Sequence, residues 1–253
     1  MRGALDVAWE VCLRTWRITW RRPVLLTFSL GQPLIWMLFF GFLFQRFPIS
    51  GFSYLDFLAP GVSAMTVLFG ASQSGIGWIR DLNTGFLPRM LNTPASPAAI
   101  LTGKILADVA RLLLQALAVL ALGMVLGARL RPDPAMLPLA VLCLAAFAAA
   151  FCLISCTIAL HARAQETLAT FVHLVNMPLL FTSTALVPRA HMPGWLATLA
   201  EINPLSVVVE VWRGALLSIP VPNLAGRLIY LAVLPVSFFI AALEGMKPAS
   251  RRY

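Results

Sequence analysis

VLLTFSLGQPLIWMLFFGFLF, residues 24–44, is a run of 21 side chains without a single charge. An α-helix rises 1.5 Å per residue, so about 20 apolar residues cover the roughly 30 Å hydrocarbon layer of a bilayer. The run therefore reads as a membrane-spanning helix, and the rest of the chain is read outward from it. Of the 253 residues, 60% are hydrophobic and 11% are charged, against about 25% charged in an average soluble domain. That composition argues against a water-soluble fold.

Five further stretches have spanning length and apolarity. Residues 57–79 carry no charge, and residues 105–127 carry Asp108 and Arg111 only in their first two turns. Residues 137–160 and 168–187 follow. Residues 224–243 are a weaker sixth, because Arg227 sits one turn from the start and Pro235 lies inside, and the start is the boundary to check first. With the N-terminus inside, segments 1–23, 80–104, 161–167 and 244–253 hold 12 Lys/Arg and the opposite side holds six. Basic residues favour the cytoplasmic side, so both termini are expected there. The sequence thus predicts an all-α, polytopic membrane protein: one domain over residues 1–253 with six transmembrane helices.

The net charge of +9 and pI near 10.4 do not point to nucleic acid, since the basic residues are spread between apolar runs rather than gathered on a polar domain. Cys12, Cys143, Cys152 and Cys156 form no CxxC pair. Cys152 and Cys156 share a helix face and read as packing rather than as a disulfide or metal pair. The Arg-rich N-terminus lacks a short apolar core with a small-residue cleavage site, so no removable signal peptide is expected.

Three segments between the spans carry more information. Leu5, Trp9, Cys12, Leu13, Trp16 and Trp20 recur at helical spacing, with Glu10, Arg14, Arg17 and Arg21 opposite, which gives an interfacial amphipathic helix over residues 1–23. It reads either as an anchor or as a docking surface. Residues 80–104 are too long for an idle connector. A short helix over residues 80–90 would set Leu82, Phe86 and Leu87 on one side, suited to a partner protein, and a solvated loop is the alternative. Residues 188–223 are external yet apolar. Within them, residues 205–217 would form a helix only about 20 Å long, which reads as re-entrant or interfacial, with Glu210 and Arg213 at i, i+3 able to pair.

Chemistry-bearing patterns are sparse. The one Gly-Lys pair, Gly103-Lys104, is followed by Ile105 and lacks the upstream glycine of a phosphate-binding loop, so no nucleotide hydrolysis is expected from this chain. His161, His173 and His191 lie in separate segments without metalloprotease spacing. In the fifth span His173 and Asn176 form a polar pair read as helix–helix hydrogen bonding. Asp108 and Arg111, at i, i+3, read as a mutual ion pair that lowers the cost of inserting both. Gly70, Ser72, Gln73, Ser74, Gly75 and Gly77 make a small, polar stretch that permits close helix approach or lines a polar cavity.

Gln32-Pro33-Leu34-Ile35-Trp36, Phe57-Leu58-Ala59-Pro60-Gly61, Leu91-Asn92-Thr93-Pro94-Ala95-Ser96 with Gly103-Lys104, Met192-Pro193-Gly194-Trp195-Leu196 and Ile202-Asn203-Pro204-Leu205 occur in that order. In this layout the chain resembles the membrane subunits of type-2 ATP-binding-cassette (ABC) exporters, over nearly its whole length. The resemblance implies that Arg80, Asp81, Leu82, Thr84, Gly85, Phe86, Leu87 and Arg89 belong to a coupling helix that docks on a separate cytoplasmic ABC ATPase. It also implies that Trp9, Leu13, Trp16 and Trp20 belong to a connecting helix, and that the insert before the last span holds short re-entrant helices. Where the family has Arg-Glu and then Gly-Thr in the coupling region, this chain has Arg80-Asp81 and then Thr84-Gly85-Phe86. The family's late Ser-Gly pair in the fifth span is here Ser183-Thr184.

The resemblance further implies two ATPase copies, a homodimer or pseudo-homodimer of the permease, and ATP with magnesium on the ATPase, with no cofactor on this chain. The expected site is the bacterial cytoplasmic membrane, and the expected cargo a hydrophobic or amphipathic drug, lipid or lipid-linked glycan. An ion-coupled secondary carrier would need an acid or base deep in a span, and only Asp108 is available, near an interface. A membrane-embedded enzyme would need converging His, Asp, Ser or Cys groups, which the spacing does not reveal.

Overall fold

The computed structural model describes residues 3–20, 23–46, 49, 51–93, 95–162 and 164–250, with 19, 20, 23–29 and 247–250 described by main chain alone. Every regular element among them is helical. In chain order these are α1 (Ala4–Trp20), α2 (Pro23–Leu43), α3 (Tyr54–Ser72), α4 (Gly75–Asn83), α5 (Phe86–Leu91), α6 (Pro97–Val125), α7 (Leu137–Ala162), α8 (Gln165–Phe181), α9 (Gly194–Ile202), α10 (Pro204–Leu217) and α11 (Leu224–Ser250), with a 3-10 turn at Arg189–His191. Four stretches of the described chain are long and apolar enough to cross a membrane: Tyr54–Asn83, Pro97–Val125, Leu137–Ala162 and Leu224–Met246. Helix α8 has 17 residues.

Helix α3 is the hub. It is buried along nearly its whole length and packs against α2, α6, α7, α8 and α10. A capping box starts it: Ser53 Oγ accepts from Asp56 N at 3.2 Å and Ser53 N donates to Asp56 Oδ2 at 2.8 Å, which satisfies two of the otherwise orphaned amides at a helix start. Asp56 also accepts from Arg129 N at 2.5 Å, so the same carboxylate fastens the loop after α6. Between lipid-embedded helices the driving force is close packing and hydrogen bonding rather than exclusion of water. The apolar stripe Ile229, Val233, Val236 and Ile240 on α11 accordingly faces outward.

Several expectations need correcting. The span read over residues 57–79 lies within the Tyr54–Asn83 stretch, but it is not one continuous helix: it is interrupted at Gln73 and Ser74, where α3 gives way to α4. A hydroxyl from α7 splices the break: Ser155 Oγ accepts from Gly75 N at 2.9 Å and donates to Ser72 O. Ser72 Oγ donates to Asn176 of α8 at 3.0 Å, and Ser74 Oγ to Asp108 of α6 at 2.9 Å, so three helices pin the joint. The short polar residues serve both close packing and, as shown below, a cavity wall. Replacing Ser155 with Ala strands two buried main-chain groups and is expected to cost about 1–3 kcal/mol, read as a lower unfolding midpoint in detergent. An unchanged midpoint would show that the joint is held otherwise.

The helix read over residues 80–90 is two helices. Thr84 caps α4, and Gly85 at φ 69° takes the left-handed conformation that ends a helix at low steric cost. The helix of the third span begins at Pro97 rather than 105, with proline in the first turn where its missing N–H is not needed. The fifth ends at Phe181 rather than 187, its cap Thr182 turning back onto Pro178 O.

Candidate functional site

Two buried arrangements stand out, one at each end of the bundle. At the end formed by α9 and α10, Asn203 caps α10 through its side chain, accepting from Leu205 N at 2.8 Å and donating to Leu179 O and Thr182 Oγ1. Trp212 Nε1 donates to Ser63 Oγ at 2.9 Å. The buried guanidinium of Arg213 lies 3.5 Å from the centre of the Phe57 ring and donates to the carbonyls of Phe57, Thr184 and Ala185.

The expected ion pair between Glu210 and Arg213 is not what forms. Glu210 pairs with Arg227 of α11 at 2.5 Å and accepts from Thr184 Oγ1 at 3.3 Å. Arg213 lies a helical turn away, where three carbonyls satisfy its fork of donors better than one shared carboxylate would. Arg213 and Glu210 thus fasten α10 to different neighbours.

The other arrangement joins α1, α4, α5 and α6. Helix α1 crosses α6 at Gly103, where a Cβ would lie 2.2 Å from Ala8 O. Beside this crossing Asp81 of α4 is buried, with Lys104 Nζ of α6 at 2.5 Å and Arg14 of α1 at 3.4 Å. Lys104 also lies over the Trp78 ring at 4.2 Å, and Arg14 over the Phe86 ring at 3.5 Å. Cation–π contacts of this kind strengthen when the charge is desolvated. Asp81 is therefore the common acceptor for two elements, and the elbow of α4 and α5 cannot move without carrying α1 and α6. Burial pushes the Cys12 thiol of α1 above its ordinary value, so little reactive thiolate forms at neutral pH.

The residues read as one coupling surface divide. Asp81 and Leu87 point inward and Leu82 and Phe86 are half-buried, whereas Asn83, Thr84 and Arg89 are exposed. Arg80 lines an open cavity of about 530 Å³ between α1, α2, α3, α4 and α6. Gly85 makes the elbow. Of the connecting-helix residues, Trp9 faces outward at 64% exposure while Leu13 and Trp16 are half-buried. The Trp20 side chain lies outside the described residues.

Asp108 and Arg111 line the same cavity and approach to 3.8 Å. His173 and Asn176 do not hydrogen-bond to each other: Asn176 turns inward to Ser72, and His173, one turn before it on α8, is exposed. Sequence reasoning took Lys104 only as part of a motif and missed the role of Arg14. A lysine one turn ahead of Asp108 in an otherwise apolar helix was the available signal. Among the described residues no three of His, Cys, Asp or Glu gather as a metal-holding group.

Comparison with known proteins adds an independent line. A family model described as ABC-2 type transporter matches residues 7–217, which runs from α1 to the end of α10. The chain is 33% identical over 200 residues to a putative transport permease, ycf38, of Pyropia yezoensis, covering 77% of this chain and 68% of that protein. It is 32% identical over 187 residues to the daunorubicin resistance ABC transporter permease protein DrrB1 of Streptomyces coeruleorubidus, covering 73% and 65%. It is 29% identical over 196 residues to a probable doxorubicin resistance ABC transporter permease protein, DrrC, of Mycobacterium tuberculosis, covering 76% and 70%.

Proposed function

This chain belongs to the ABC-2 type transporter family as an ABC transporter permease, and on that premise we propose that it forms the translocation pathway of an ATP-driven exporter. It spans the cytoplasmic membrane six times, through α2, the broken α3–α4 rod, α6, α7, α8 and α11. Both termini face the cytoplasm, and α9 and α10 form a re-entrant insert on the outer side. Two such permeases, as a homodimer or pseudo-homodimer, pair with two cytoplasmic ATPase subunits that carry ATP and magnesium. The cargo is a hydrophobic or amphipathic molecule, in keeping with the drug-resistance names of two relatives.

The observation that carries this reading is the elbow of α4 and α5. It leaves Asn83, Thr84 and Arg89 exposed while Asp81 ties its inner side to α1 and α6. A partner's closure pushed against that outer side is passed to two further helices through a desolvated ion pair rather than lost in a loop. An ion-coupled carrier is less well supported, because Asp108 is engaged by Arg111 and Ser74.

The reading is tested with inside-out vesicles carrying the permease and its ATPase. ATP-dependent uptake of a drug or lipid probe is expected, and uptake that follows an imposed ion gradient with no ATPase present would overturn it. Replacing Thr84 and Arg89 together with Glu is expected to reduce the co-purifying ATPase about tenfold or more, a change of at least roughly 1.4 kcal/mol in association. The unfolding midpoint should stay within error of wild type, since both side chains are exposed.

A further inference from the structure

Lys104, Asp108, Arg111 and Gln115 succeed one another along α6 and all line the 530 Å³ cavity. At 1.5 Å per residue this polar stripe runs about 16 Å along an otherwise apolar helix. Charges at such depth persist when they pair with one another or face a polar cavity. Here the carboxylates are already engaged: Asp81 by Lys104 and Arg14, Asp108 by Arg111 and Ser74. Among the described residues the cavity walls hold four cations, Arg14, Arg80, Lys104 and Arg111, against those two carboxylates, which leaves two positive charges in excess there. Arg80 makes no ion pair among the described residues. The far end of the same cavity carries no charge and mixes apolar Pro33, Met65 and Phe69 with polar Gln32, Thr66 and Gln115.

A cavity graded from uncompensated positive charge to an uncharged, partly apolar wall matches an amphiphile with an anionic head. Its volume falls within the roughly 300–1,000 Å³ typical of ligand sites. A planar guanidinium offers paired donors to the oxygens of a phosphate, and phosphate esters are the anionic groups that a cytoplasmic leaflet presents. Among the described lining residues a cationic amphiphile would meet no carboxylate that lacks a cation. We propose that this cleft binds the phosphate-bearing headgroup of an anionic amphiphile, with Arg80 as the main contact and Lys104 and Arg111 behind it. The placement of the cleft at the cytoplasmic leaflet rests on the permease reading; its charge and shape do not.

The test uses the purified full-length chain in nonionic micelles, titrated with didecanoyl phosphatidylglycerol and, separately, with didecanoyl phosphatidylcholine, with bound lipid counted by native mass spectrometry. Phosphatidylglycerol is expected to bind about tenfold more tightly or better. Equal binding of the two lipids, or tighter binding of decyltrimethylammonium, overturns the proposal. Arg80→Gln should remove most of the preference. A side chain at Gly77 has room, since a Cβ there would meet Lys104 Cε and Nζ only at 3.8 Å. Gly77→Glu should therefore abolish the preference by placing a carboxylate beside Lys104, while Gly77→Gln, of the same shape but uncharged, should retain it in part. Should Gly77→Glu fail to fold, Arg80→Gln carries the test alone, and an unchanged preference in it overturns the proposal.

Glycerol phosphate separates the sources. Competition at concentrations matching the lipid keeps the anion site and makes its ligand a soluble phosphate ester, whereas no competition at hundredfold excess makes it the lipid. Binding is measured without ATPase or ATP. Loss of the lipid preference with ATP-dependent uptake intact removes this proposal alone, and the reverse result removes the exporter reading alone.

Discussion

Replacing Asp81 with Ala is expected to destabilise the permease by about 3–5 kcal/mol, because it leaves a buried ammonium without its counter-charge. Lys104 is 6% exposed, and among the described residues Asp81 is the one carboxylate it pairs with, at 2.5 Å. The Trp78 ring at 4.2 Å offsets only about 0.5–2 kcal/mol of that loss. Arg14 loses its acceptor at the same time but is about one-third exposed, so water replaces most of what it gives up. The cost therefore falls on Lys104, and a second substitution should show it. Lys104→Met keeps the volume of the stem and removes the charge, so the Asp81→Leu, Lys104→Met double variant is expected to recover most of the unfolding midpoint that Asp81→Ala loses.

Recovery of stability need not restore transport. In the double variant α4 and α6 touch through apolar packing, which allows sliding, where a hydrogen-bonded ion pair fixes register. Stable protein with transport well below wild type is the expected outcome, measured as ATP-dependent uptake beside chemical unfolding in micelles. A single variant as stable as wild type would sink the assignment of Asp81 as the shared anchor. So would a double variant no better than the single.

The sequence carried the broad architecture because hydropathy and periodicity are local. A charge-free run such as residues 24–44 declares itself without knowledge of its neighbours, and the alternation of Trp and Arg in α1 does the same at a period of 3.6. What escaped was set by partners far away in the chain. Asp81 looked like a surface residue of a cytoplasmic helix because its anchors lie 23 and 67 residues off. Glu210 and Arg213 looked like a pair because i, i+3 is the only neighbourhood a sequence displays, while Arg227 on the next helix was the better placed cation.

The break after Ser72 was hidden for a related reason. Small polar residues announce close approach, but the hydroxyl that splices the two ends comes from Ser155, 80 residues on. One miss had a local signal. Gly85 directly follows the cap residue Thr84, and a glycine in that place commonly ends a helix in the left-handed conformation, so the elbow was legible to that extent.

Gly103 offers a test in which two principles predict opposite signs. In an isolated helix Gly→Ala is stabilising by about 0.8–1 kcal/mol, and Gly103 lies inside α6, two turns from its start. In this fold the added Cβ would sit 2.2 Å from Ala8 O and 2.9 Å from Ala8 C. Both are main-chain atoms, so no rotamer change relieves the contact and α1 must lift from α6 as a unit. Overpacking of this kind costs about 1–3 kcal/mol, which outweighs the propensity gain. Lifting α1 also draws Arg14 away from Asp81 and Phe86, contacts of 3.4 Å and 3.5 Å that tolerate little displacement. Helices α3, α6 and α7 also pack directly on one another, so the protein is expected to stay folded. The expected result for Gly103→Ala is thus a permease that still binds its ATPase and permits ATP hydrolysis, with uptake reduced about tenfold or more, equivalent to at least roughly 1.4 kcal/mol of lost coupling. A Gly103→Ala protein that is more stable than wild type and transports normally would show that helix propensity wins and that α1 does not ride on α6.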